Sequence, residues 1–371
     1  MESSLTLGRI RGIPIGLHLS WFLIFALVTW SLALGYFPLE YEGLDVAAYW
    51  VMGAVTSILF FGSVLLHELG HSIVALRNEI PVHSITLFIF GGVARIGREP
   101  KAPGVEFRIA IAGPATSLML AAGFFVFWQL GRGNPYLAAP AIWLARINLI
   151  LAVFNMIPGF PLDGGRVLRS IIWKFTGNFL RSTRIASGAG QLIAFGFIGV
   201  GILIVLQGNL FNGLWLAFIG WFLQNAAASS YAQANLSHLL KGVKVSQVMS
   251  PECRRISGRL PLDEVVNDLV LQRGERCFFV TEGDRLQGML TLRDITTKPR
   301  DSWDQISTEQ AMHPWEKLIQ VDPDLELLEA LHLMDDANVA QVPVVEGDRL
   351  RGVLSRERIV HHIRILGEIG M

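Results

Sequence analysis

Twenty-one consecutive uncharged residues, Val46 to Leu66, run directly into His67-Glu68-Leu69-Gly70-His71. A stretch of that length can cross the hydrocarbon core of a bilayer as a helix. It must be helical to do so, because lipid offers the backbone no hydrogen-bond partner. The chain is therefore obliged to hold two histidines and a glutamate at the end of a membrane helix. On that helix His67 and His71 stand one turn apart on one face, and Glu68 is offset by about 100°. Two neutral imidazoles suit Zn²⁺, and the neighbouring carboxylate suits a general base acting on a water beside the metal. Ionisable groups are costly in lipid and read as functional there by default. The alternative is a chance match at the end of an apolar helix.

Composition agrees with a membrane protein: 51% of residues are hydrophobic and only 17% charged. Residues 1 to 240 are strongly apolar, whereas 241 to 371 read like an ordinary soluble domain. The 31 basic and 31 acidic side chains cancel, so nothing points to a nucleic-acid partner. Both cysteines, Cys253 and Cys277, lie in the soluble half, which fits a reducing compartment for that part. No small-residue cleavage site follows the first apolar run, so no cleaved signal sequence is expected.

The remaining spans follow from charge-free runs. Gly12 to Leu39 gives the first, preceded by a Gly-Ile-Pro-Ile stretch that suits a short strand; His18 reads as an interfacial residue because it has no spaced partner. Val82 to Ile96 carries two β-rich runs joined near Gly91-Gly92, which predicts a hairpin rather than a span. An exposed strand edge there can pair with an unwound peptide, and a plain surface loop is the alternative. Ile109 to Leu130 is the third span, opening on the small residues Ala112-Gly113-Pro114. Leu137 to Ile157 is the fourth, with Arg146 inside it, and Ile185 to Ser237, broken at Gln207-Gly208-Asn209, supplies the fifth and sixth.

After the fourth span the chain breaks at Asn155-Met156-Ile157-Pro158-Gly159-Phe160-Pro161-Leu162-Asp163-Gly164-Gly165-Arg166. Irregular backbone at membrane depth is tolerated only where it is buried in protein or lines a cavity. Asp163 at such a break is a candidate third metal ligand. Its alternative is a helix cap for a segment starting near Gly164, with Arg166 and Arg169 at the membrane surface. Basic residues cluster before span one, between two and three, and between four and five. The positive-inside rule then puts both termini in the cytoplasm and brings the motif and the Asp163 break to the same side.

These motifs together resemble the site-2 protease family of intramembrane zinc metalloproteases. The resemblance rests on HELGH at 67 to 71, FGGVARI at 90 to 96, AGP at 112 to 114 and NMIPGFPLDGGRVLR at 155 to 169. It implies one Zn²⁺ per chain held by His67, His71 and Asp163, with Glu68 activating water. It also implies that Asn155 helps hold the substrate carbonyl or the oxyanion and that Gly91, Gly92, Val93 and Ala94 present the substrate strand. The substrate implied is a transmembrane segment of another protein, which must unwind locally before its peptide bond is accessible. Many relatives carry a PDZ domain, and no loop here is long enough for one.

Residues 245 to 365 contain an internal repeat: Val248-Met249-Ser250-Pro251 recurs as Ala311-Met312-His313-Pro314, and Gly283-Asp284-Arg285-Leu286-Gln287-Gly288 as Gly347-Asp348-Arg349-Leu350-Arg351-Gly352. The pair resembles tandem cystathionine-β-synthase-type (CBS) domains. That resemblance implies adenine nucleotide binding (ATP, ADP or AMP) with Thr291 and Asp294 as the ribose contact. Ser355 keeps the hydroxyl in the second copy, where Arg358 replaces the acid. The alternative is a purely structural module that forms a homodimer.

The expected fold is a polytopic α-helical membrane protein of six spans with a short membrane-associated β region, plus a C-terminal α/β tandem CBS module. The expected divisions are a zinc protease domain at 1–235, a linker at 236–244, and CBS domains at 245–300 and 301–371. The leading function is an intramembrane zinc endopeptidase in the cell (inner) membrane, acting on a transmembrane protein within the lipid bilayer and regulated by the CBS pair. The competing class is a CBS-gated ion channel or transporter, which does not require two histidines, a glutamate and a distant aspartate in ligand geometry.

Overall fold

The computed structural model describes residues 4–368, apart from Glu252, Asp284 and Asp348; the two aspartates of the repeated Gly-Asp-Arg turn therefore lie outside the described residues. The chain divides into two compact units, Met1–Ala234 and Asn235–Met371.

The first unit opens with β1 (Leu5–Ile10) and β2 (Ile13–Leu17), followed by α1 (Ser20–Ser31), a π-helical turn over Leu32–Tyr36 and a short α2 (Phe37–Glu40). The first span thus begins at Ser20 rather than Gly12, because residues 13–17 are drawn into a sheet. α3 (Val46–Arg77) carries the motif; β3 (Val82–Phe88) and β4 (Gly91–Ile96) form the expected antiparallel hairpin. Residues 13–17 give up helix because β2 pairs in parallel with β3, and the full order is β1-β2-β3-β4 with β4 at the edge. Ile13, Ile15, Leu17, Ile85 and Leu87 are buried, and the sheet packs on Val64, Leu65 and Leu69 of α3. The His18 side chain bonds locally, its Nδ1 lying 2.8 Å from Ser20 Oγ, while its backbone amide donates to the Leu87 carbonyl.

α4 (Pro103–Gly131), α5 (Pro135–Asn155), α6 (Asp163–Thr176), α7 (Phe179–Leu206) and α8 (Leu210–Leu240) complete the helices of this half. Among the described residues five helical stretches are long and apolar enough to cross a membrane: Ser20–Glu40, α3, α4, α5 and α7. The sixth expected span falls on α8, whose apolar first half is diluted by Gln224, Asn225 and an Ala/Ser-rich continuation, leaving it outside those five.

The second unit contains β5 (Arg254–Ser257), α9 (Leu262–Glu264) extended by a π-helical Val265–Leu271, β6 (Cys277–Glu282), β7 (Arg285–Thr291), α10 (Leu292–Thr296), α11 (Thr308–Ala311) and β8 (His313–Pro314). The second repeat continues with α12 (Leu327–Asp336), β9 (Gln341–Glu346), β10 (Arg349–Ser355) and α13 (Arg356–Glu368). The repeats exchange their leading ends. β8 pairs with β7 of the first repeat, whereas Ser250 bridges to Val353 of the second. Val245 and Val248 accordingly bury against Val321, Leu327, Met334 and Val344, so each core closes only with a piece of the other repeat.

Candidate metal centre

α3 brings His67 and His71 onto one face, and both are 4% exposed. Asp163 arrives 92 residues later as the first residue of α6. Its carboxylate does not cap that helix: the N-cap position is Leu162, and no side-chain cap bond is made there. Instead Oδ2 lies 3.2 Å from His67 Nε2 and 3.2 Å from His71 Nε2, and the two Nε2 atoms are 3.2 Å apart. The capping alternative therefore does not match the geometry, and the carboxylate faces the two imidazoles.

Each imidazole is oriented from behind. His71 Nδ1 donates to the carbonyl of Ile109 at 2.6 Å, which puts its proton on Nδ1 and leaves the Nε2 lone pair facing Asp163. His67 Nδ1 lies 2.9 Å from Ser117 Oγ. Three potential ligand atoms thus converge in a buried space, an arrangement that is costly unless protons or a cation sit among them. These are the only three His, Cys, Asp or Glu residues so clustered among the described residues. The donor set, two imidazoles held by partners on their far nitrogens and one carboxylate, fits Zn²⁺.

Glycines make the approach of α4 and α6 feasible. A Cβ on Gly113 would lie 2.6 Å from His67 Nε2 and 2.5 Å from His71 Cε1; one on Gly70 would lie 3.0 Å from the Ala112 carbonyl. Only a glycine at 113 lets α4 pass this close to both rings. At the start of α6, side chains on Gly164 and Gly165 would collide with the backbone of Met156–Ile157 and Gly159–Phe160. The Asp-Gly-Gly sequence thus lets the first turn of α6 press against the end of α5, where Asn155 is the last helical residue. Asn155 is half-buried, and its side-chain amide has no hydrogen-bond partner among the described residues.

β4 crosses Glu68. A Cβ on Gly92 would meet Glu68 Cγ at 2.6 Å, so backbone rather than side chain covers the carboxylate. Gly91 takes φ +125°, which side-chain-bearing residues rarely adopt; Val93 points outward, and Ala94 faces the core beside Leu69. As the edge strand, β4 leaves one row of backbone donors and acceptors unpaired by the sheet.

Arg169 departs from the expectation of a membrane-surface cation. It is buried rather than at the membrane surface, donating from Nε to Glu106 Oε1 at 2.7 Å and again from Nη2. Its guanidinium lies over the rings of Phe160 and Phe179 at 4.9 and 4.5 Å. This pair ties α4, the Pro-Gly-Phe-Pro break, α6 and α7 together behind Asp163. Ser117, Ile109 and Glu106 carry no motif of their own; each is recognisable only from what it touches.

In the second unit, Thr291 and Asp294 are already engaged with each other. Asp294 Oδ2 accepts from Thr291 N at 2.8 Å and from Thr291 Oγ1 at 2.7 Å, and Oδ1 lies 2.9 Å from His313 Nε2. Ser355 Oγ accepts from the Arg358 amide at 3.2 Å, and Arg358 Nε donates to the Val248 carbonyl at 3.3 Å. Both positions act as helix caps in the structure, and the remaining oxygens are what a nucleotide would have to use.

The chain is similar to known proteins over almost its whole length. The profile of Peptidase family M50 matches residues 55–137 and 133–198, and that of the CBS domain matches 245–300 and 310–365. A candidate zinc metalloprotease of Synechocystis is 36% identical over 97% of this chain and 95% of its own. A zinc metalloprotease of Methanocaldococcus jannaschii is 32% identical over 99% of this chain and 98% of its own. A solved site-2 protease from the same archaeon is 32% identical, covering 61% of this chain and 94% of that one, with a TM-score of 0.42.

Proposed function

Because the chain belongs to peptidase family M50, the zinc metalloproteases of the site-2 type, and carries tandem CBS domains, we propose that it cleaves a transmembrane segment of another membrane protein. The observation that carries the reading is the convergence of His67 Nε2, His71 Nε2 and Asp163 Oδ2 beside Glu68.

In this reading His67, His71 and Asp163 hold zinc, and Ser117 and the Ile109 carbonyl keep the two rings in register. Zinc, when bound, supplies Lewis acidity to a water and to the scissile carbonyl. Glu68, one residue beyond His67 and so about 100° round the helix, takes the water's proton and passes it to the leaving amine. Asn155, with an uncommitted amide at the end of α5, donates to the carbonyl oxygen as charge develops on it. A substrate helix entering the site loses its internal hydrogen bonds. The unpaired edge of β4, over Gly91, Gly92, Val93 and Ala94, offers replacements, and the absence of side chains at 91 and 92 lets the strand lie close to Glu68. Both termini lie in the cytoplasm, and the CBS pair regulates cleavage through an adenine nucleotide at Thr291, Asp294 and Ser355 and through homodimer formation.

The test compares new N-termini in membranes from cells expressing the wild type and Glu68→Gln, with zinc measured in both purified proteins. Expected are cleavages inside transmembrane segments that disappear in the variant by at least about 100-fold while zinc is retained. An active Glu68→Gln protein, or identical N-termini in both membranes, refutes the assignment.

A further inference from the structure

Asn148, on the buried side of α5, is 1% exposed within a candidate span. Its Nδ2 donates to the Leu144 carbonyl at 2.9 Å and to Ser63 Oγ on α3 at 3.3 Å. Ser63 in turn donates to the Leu59 carbonyl at 3.0 Å. The amide cannot be flipped without facing two donor hydrogens toward nothing and its oxygen toward a carbonyl, so the orientation is set by its neighbours. Asn148 Oδ1 is then left without a donor, and so is the buried Thr56 Oγ1 two turns along α3.

These groups form one seam. Thr56, Ser63 and His67 fall within about 40° of each other around α3, and Ser63 precedes His67 by about 6 Å along the axis. Asn148 faces that stripe from α5, which packs against α3. Asn155, seven residues further along α5, lies on the same face of that helix as Asn148. An amide oxygen enclosed in a membrane protein without a donor is among the costliest features a fold can carry, and lipid has nothing to offer it. The one small donor that can be enclosed there is water, which also needs the acceptor that Ser63 Oγ still has free.

We infer that Asn148 and Ser63 hold an internal water one helical turn beneath the metal group, a reserve from which the hydrolytic water is replaced within the membrane. Hydrolysis consumes one water per peptide bond, and a substrate strand laid on β4 covers Glu68 from the hairpin side; the seam reaches the same histidine from the opposite end of α3. This role rests on the proposed proteolytic function, but the water site itself does not.

The test uses the full-length protein with Asn148→Ala and Asn148→Leu, zinc content checked in each. X-ray radiolysis generates hydroxyl radicals from bound water, and these oxidise adjacent side chains even where bulk solvent is excluded. Leu144, 1% exposed and one turn from Asn148, is the reporter. Expected is oxidation of Leu144 in the wild type and in Asn148→Ala, whose vacated space admits water, and its loss in Asn148→Leu. Turnover at equal zinc falls at least about tenfold in Asn148→Leu and less in Asn148→Ala. Packing alone predicts the reverse order, because leucine fills the space and alanine leaves a void. Absence of Leu144 oxidation in the wild type overturns the water site; turnover of Asn148→Leu equal to or above Asn148→Ala overturns its role in hydrolysis. A wild type that cleaves nothing yet shows Asn148-dependent oxidation refutes the protease reading and leaves the water site standing.

Discussion

Gly113→Ala is a one-methyl perturbation with a calculable consequence. The new Cβ would stand 2.6 Å from His67 Nε2 and 2.5 Å from His71 Cε1, where real Cβ contacts do not fall below 3.0 Å. His67 Nε2 must therefore retreat by about 0.4 Å and the His71 ring, whose Nε2 stands closer still to the new Cβ, by well over 0.5 Å, at least twice the ~0.2 Å tolerance of a metal–ligand distance. Neither ring moves freely, since Ser117 and the Ile109 carbonyl hold the opposite nitrogens at 2.9 and 2.6 Å. Disturbing one supporting partner of a ligand costs about 10- to 100-fold in metal affinity. Two displaced ligands put the expected loss at about 100-fold or more, about 2.7 kcal/mol at 1.36 kcal/mol per decade. The assay is zinc content after dialysis against a graded chelator, with Gly62→Ala on α3 as control, because a Cβ there meets nothing within 4 Å. A Gly113→Ala protein that holds one zinc per chain on the wild-type chelator curve would show that the rings are not held as described.

Asp163→Asn keeps the shape but removes the anionic ligand, and purified protein should retain well under one zinc per chain; unchanged metal content would place the ligand elsewhere. Arg169→Met strands the fully buried Glu106 and should destabilise the first unit by about 3–5 kcal/mol, whereas adding Glu106→Gln should recover much of that loss in thermal unfolding. Equal melting temperatures for the single and double variants would show that the two side chains are not coupled. In the second unit, the Cys277 side chain and burial push the Cys253 thiol up, so its thiolate is scarce at neutral pH. Cys253 should alkylate at least about tenfold more slowly than an exposed thiol until the domain is unfolded, which mass spectrometry of timed iodoacetamide reactions would read.

Much of the membrane half was legible because lipid simplifies the code. Long uncharged runs can be little other than helices, and a charged residue inside them stands out, which is how α3, α4, α5, α7 and the Asp163 break were located. Where the structure departs from the sequence pattern, the cause is a partner distant in sequence. Gly12 to Leu17 looked like the start of a span because it is apolar, but β3, some 70 residues on, recruits it as a strand. Arg169 looked like a surface cation because its counter-ion, Glu106, sits on another helix 63 residues earlier. Thr291 and Asp294 are a different case: the spacing that matches a nucleotide motif is also that of a helix cap, which the structure shows.

By itself, the sequence determined that the first half is built of long apolar helices, that His67, Glu68 and His71 share one turn, and that residues 245 to 365 repeat. Each of these depends on neighbours within one or two turns, or on composition alone. Only the tertiary structure decided that Asp163 faces the histidines rather than capping α6, that Gly113 and Gly92 are glycines because two rings and a carboxylate occupy the space beside them, and that the repeats exchange their leading ends. Those features depend on which helix lies against which. That is set by close contacts between residues 24 to 103 positions apart, and no local pattern records them.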